Sequence, residues 1–104
     1  MKGFGNLLKE AQKLQAQMEA MREEVAKRKV EASAGGGMVV VEANGNQEIV
    51  SIKIDREVIN PEDPQMLEDL VLAASNEALR KAKDLVQAEM GKLAGGLKIP
   101  GLNA

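Results

Sequence analysis

Apolar residues fall at Leu7, Ala11, Leu14, Met18, Met21 and Val25, in alternating steps of 4 and 3. Residues so spaced return to one side of a helix. The pattern predicts a helix from Leu7 to Arg28, capped by Asn6 after Gly3-Phe4-Gly5. Glu23–Lys27 and Glu24–Arg28 have the i,i+4 spacing that supports a helix end. The period then drops to two. Val30 opens a short strand that runs into Gly35-Gly36-Gly37, and Met38 to Ala43 is valine-rich. Glu48 to Asp55 alternates Val50, Ile52 and Ile54 with Ser51, Lys53 and Asp55. Asn44-Gly45 is a strong hairpin signal between the last two strands. Three consecutive strands imply an antiparallel meander with one buried and one polar face.

A second helix is predicted from Pro64 to about Lys92, with Asp63 as N-cap and Pro64 at the first helical position. Its core stripe is Leu67, Leu70, Val71, Ala74, Ala78, Ala82 and Leu85. A further set, Leu72, Leu79, Val86, Met90 and Leu93, lies about 100–140° round the helix from Leu67. One sheet face cannot cover so wide an arc, so the first helix or a second subunit must cover the rest. Leu72, Leu79, Val86 and Met90 are on that ground the expected dimer interface. The first helix alone is about 33 Å long, against a radius of gyration near 13 Å for a compact 100-residue domain. It must span the domain or project from it, and a projecting apolar seam needs another helix beside it. The expected organisation is one domain over 1–94 and a Gly-rich flexible tail over 95–104, whose Leu97, Ile99 and Leu102 also suit docking.

Composition narrows the chemistry. The 104 residues include no Cys, His, Trp or Tyr, and Phe4 is the only aromatic ring. Thiolate, imidazole and zinc chemistry are therefore ruled out together, and the remaining Ser33, Ser51, lysines and carboxylates form no catalytic arrangement. The expectation is no enzyme, no cofactor, no metal site and no small-molecule substrate. Gly35-Gly36-Gly37 lacks the following Gly-Lys-Ser/Thr of a phosphate loop and reads as a turn. Glu57, Glu62 and Asp63 lack metal-ligand spacing and read as loop and cap residues. With no apolar N-terminal core of a signal peptide and no membrane span, the expected location is cytoplasmic.

Net charge is −2 but unevenly spread. Residues 1–29 carry +3, residues 30–65 carry −5, and residues 66–104 balance. Local positive potential, which a polyanion needs, is confined to the first helix.

Several stretches together resemble the YbaB/EbfC family of bacterial nucleoid-associated proteins. They are Phe4-Gly5-Asn6-Leu7-Leu8-Lys9 and its Gln/Met-rich helix, the Asn44-Gly45 hairpin, Ile54-Asp55, Met66-Leu67-Glu68-Asp69-Leu70-Val71, Ala73-Ala74, Asn76-Glu77-Ala78 and Pro100-Gly101. The match runs in order along essentially the whole chain. It implies an α+β fold of order α-β-β-β-α and a homodimer with helices projecting like tweezers. It also implies double-stranded DNA as partner, a nucleoid location and a link to chromosome maintenance or recombination proteins.

On this reading the DNA-binding residues are basic positions of the two helices. Lys9, Lys13 and Lys27 form an outward line opposite the apolar seam; a solvated helix face is the competing reading. Arg22, Arg28, Lys29 and Lys2 would extend the patch, though Arg28 and Lys29 equally suit a helix C-terminus. Arg80 and Lys83 would line the second helix, against pairing such as Arg80–Asp84. The scarcity of aromatic rings argues against single-stranded nucleic acid, and no base-reading module is present. Phosphate-directed duplex binding with little base readout is the expected mechanism. The alternative is a dimeric adaptor for recombination or replication proteins, favoured by the acidic total charge and the wide apolar arc.

Overall fold

A computed structural model describes residues 2–95. The order is α1 (Lys2–Ala26), β1 (Lys29–Ala34), β2 (Val39–Asn44), β3 (Ile49–Ile54), a 3-10 turn (Arg56–Val58) and α2 (Pro64–Gly95). This is the expected α-β-β-β-α arrangement, with an antiparallel sheet in the order β1-β2-β3. The tail with Leu97, Ile99 and Leu102 lies outside the described residues.

α2 starts where its signals place it. The Asp63 carboxylate accepts a hydrogen bond from the Met66 amide at 3.3 Å, satisfying a donor the helix leaves open. Ala74, Ala78 and Ala82 are fully buried against Val39, Val41 and Ala43 of β2, Ala32 of β1 and Val58. Their small side chains bring the helix axis close to the sheet, and Leu67, Leu70, Val71 and Leu79 flank this centre.

The three glycines form the β1–β2 turn, and all have positive φ (64°, 68° and 94°), a region closed to most side chains. The β2–β3 connection is not the two-residue turn that Asn44-Gly45 predicts. The Gln47 amide donates to the Asn44 carbonyl at 2.9 Å and the Asn44 amide to the Glu48 carbonyl at 3.0 Å. Gln47, not Gly45, takes the left-handed conformation, at φ 60°. This is a three-residue hairpin loop, held by the Asn44 side-chain oxygen, which accepts from the Asn46 and Glu48 amides. Gly45 serves another purpose. Its amide donates to the Arg28 carbonyl at 3.2 Å, and a Cβ at this position would collide with the backbone oxygen and Cγ1 of Val25. The glycine lets the end of α1 close onto the hairpin.

Two more expectations are corrected. α1 begins at Lys2 rather than Leu7, so Asn6 is an interior helical residue and not a cap. Gly3 and Gly5 weaken this first stretch by roughly 1 kcal/mol each relative to Ala without forbidding helix. The face of β3 read as buried is largely uncovered: Val50, Ile52 and Ile54 are 45, 45 and 37 % exposed. A helix is about 10–12 Å wide and strands lie about 4.8 Å apart. α2 covers β1 and β2 and leaves β3 beyond its edge.

α1 runs antiparallel beside the second half of α2. Met21 and Val25 lie near Val86, while Leu14 and Met18 lie near Met90, Leu93 and Ala94. The paired helices make an arm. The molecule measures 73 × 27 × 16 Å with a radius of gyration of 20.3 Å, far above that of a compact domain of this length.

Candidate nucleic-acid interface

The basic residues fall into groups set by their elements. Lys9 and Lys13 stand on the outer half of α1, exposed and with no ion-pair partner among the described residues. Lys27 is the first residue past the end of α1. It shares the junction between arm and sheet with Lys29, which opens β1 opposite Asn44. Arg22 borders a cleft there with Met21, Val25, Gly45, Asn46, Gln47 and Val86. Lys27, Lys29, Arg22 and Lys83 are all exposed and, among the described residues, unpaired.

Two expected positions are engaged within the chain. Arg80 bonds to the Glu77 carboxylate and lies 3.6 Å from Asp84, the pairing that competed with a DNA role. The hydrogen bond from Arg80 holds the Glu77 carboxyl below its ordinary pKa, and Glu77 in turn raises that of Arg80. Arg28 donates to Glu89 at 2.8 Å, tying the end of α1 to α2 instead of pairing with Glu24. Lys92 donates to the same carboxylate at 3.1 Å. The hydrogen bonds from Arg28 and then Lys92 lower the Glu89 pKa. α1 ends at Ala26, so neither Arg28 nor Lys29 lies within the helix itself. The arm keeps Lys9 and Lys13 available, while Arg28 and Arg80 are engaged within the chain.

Charge follows shape. The sheet and its connections hold Glu31, Glu42, Glu48, Asp55, Glu57, Glu62 and Asp63 against Lys29, Lys53 and Arg56. An approaching polyanion is attracted by the arm and repelled by the sheet. Among the described residues no group of three acidic side chains could hold a metal ion, and no helix is long and apolar enough to cross a membrane.

Of the residues expected at a dimer interface, Val86 and Met90 face α1 of the same chain, Leu79 borders the core, and Leu72 is 61 % exposed. The apolar surface that sequence reasoning missed is β3, whose alternation signals burial without saying by what.

A solved structure of an uncharacterized protein from Helicobacter pylori shares the fold at a TM-score of 0.75, with 22 % identity, over 91 % of this chain and 97 % of that one. Nucleoid-associated proteins from Syntrophobacter fumaroxidans and Pelotomaculum thermopropionicum are 54 and 55 % identical to this chain. The alignments cover 97 and 95 % of this chain and 91 and 94 % of those proteins. The sequence profile of the YbaB/EbfC DNA-binding family matches residues 1–97. The chain belongs to the YbaB/EbfC DNA-binding family.

Proposed function

We propose that this protein binds double-stranded DNA as a nucleoid-associated protein, through lysine–phosphate contacts along α1 and with little reading of base sequence. The observation that carries the proposal is the outward pair Lys9 and Lys13 on α1, with Lys27 at the base of the arm, all exposed and without ion-pair partners among the described residues, on an arm that projects from an acidic body. Exposed, flexible ammonium groups suit phosphates, which carry no sequence information directly. Lys29, Arg22 and Lys83 extend the surface at the base of the arm. Arg28 and Arg80 would first have to exchange a carboxylate for a phosphate, so they contribute less. Membership of a DNA-binding family and the nucleoid-associated relatives support this reading, and chromosome organisation is the setting it fits.

The same proposal includes a homodimer. Ile52 and Ile54 of β3 and Leu72 of α2 are apolar and exposed, and β3 is an open sheet edge. Such an edge invites a second chain. A twin seated there would present two arms to one duplex.

Affinity for random-sequence duplex, measured over a range of salt concentrations, tests the mechanism. The logarithm of the binding constant is expected to fall linearly with that of salt, to a similar extent for unrelated sequences. Salt-insensitive affinity would contradict phosphate contact. The adaptor reading is favoured by the exposed apolar face of β3. Capture of a recombination or replication protein, with no duplex binding at physiological salt, would decide for it.

A further inference from the structure

Every residue from Gly3 to Lys13 is exposed, and Leu14 is the first of α1 to be half-buried among the described residues. Phe4, Leu7 and Leu8 are 67, 67 and 52 % exposed, so the outer turns of α1 bury no apolar face. Packing of such a face is what mainly holds a helix in a protein, and about a dozen residues without it are marginal in water.

Three further features weaken the stretch. Gly3 and Gly5 stand in it although neither has a positive φ, and a Cβ at either would meet no atom within 4 Å. Unlike Gly45, they answer no steric need, and each lowers the helix population about five-fold relative to Ala. The first turn of α1 holds no acidic side chain to complement the helix dipole. Lys9 and Lys13 are four apart, a spacing at which like charges on a helix repel, and among the described residues Glu10 forms no ion pair with either. A duplex reverses this last feature. A phosphate between the two lysines replaces their repulsion with attraction, and they stand side by side only when the segment is helical.

We infer that residues 3–13 of α1 are frayed in the free protein and become helical on the duplex, so that Gly3 and Gly5 set how tightly the arm holds DNA. The inference rests on the DNA-binding role proposed for α1. Ordering the segment costs affinity without changing which phosphates are met, so the arm grips less tightly than a rigid arm of the same charge.

Amide hydrogen exchange of the full-length protein, with and without random-sequence duplex, tests this beside the duplex affinity of the natural chain and the double variant Gly3→Ala, Gly5→Ala. In the natural chain the amides of Leu7 to Lys13 are expected to exchange freely and to become protected about ten-fold or more on adding duplex. The variant is expected to show that protection before duplex is added. It should bind about ten-fold tighter with an unchanged salt slope, because its phosphate contacts are the same. Protection of these amides in the natural chain without DNA would overturn the inference. Free exchange that persists in the complex, or equal affinities of the two chains, would do the same. If neither chain binds duplex at low salt, the DNA-binding role itself falls and takes the inference with it.

Discussion

Gly45 sits where the arm meets the sheet, and the need for it comes from its neighbour rather than from its own dihedral angles. Gly45→Ala is expected to destabilise the fold by about 1–3 kcal/mol, the usual cost of forcing a group into filled space. Chemical denaturation with unchanged slope would measure it, and a change under 0.5 kcal/mol, as for an ordinary surface site, would contradict the contact. Asn44-Gly45 announces a hairpin in the sequence, and a hairpin forms. The turn type was not legible, because the approach of Val25 to Gly45 spans 20 residues and leaves no local signal. The basic residues divide similarly. Arg80 has Glu77 and Asp84 within one helical turn, and its pairing could be read from spacing. The partner of Arg28 is Glu89, 61 residues away, and only the fold reveals it.

At the level of elements, the Arg28–Glu89–Lys92 cluster fastens α1 to α2. Glu89 titrates below its ordinary value of 4.5 in the folded chain, mainly because Arg28 and then Lys92 donate hydrogen bonds to its charged form. A carboxylate with a depressed folded pKa contributes stability that is present above the unfolded pKa and lost as pH falls through the folded one. The attachment of the arm is therefore expected to loosen as pH drops below about 4.5. Thermal midpoints measured from pH 6 to 3 should fall more steeply for the natural chain than for Glu89→Gln; parallel curves would show that the cluster does not act this way. The helices were readable because their periodicity is long. The wide apolar arc of α2 required a second cover, and α1 supplies it for Val86, Met90 and Leu93. The exposure of β3 was not readable. Its alternation is the same whether a helix, a second chain or nothing lies over it.

As a whole, the molecule measures 73 Å along its longest axis and combines an acidic sheet with an arm that carries exposed lysines, a division that the segment charges already indicate. A compact monomer would not need such an arm; two arms joined at their sheets could straddle a duplex. Ile52→Asp places a charge on the exposed edge strand and is expected to convert the proposed dimer to monomer in light scattering at micromolar concentration. A natural chain that is itself monomeric there would remove the twin from the account. In the proposed mechanism, DNA binding rests on the lysines of α1. The most direct measurement is the salt dependence of duplex affinity for the natural chain beside the double variant Lys9→Ala, Lys13→Ala. The account predicts that the variant binds all sequences more weakly and that its slope is shallower by about 2, one for each lost phosphate contact. An unchanged slope, with the fold intact, would contradict it.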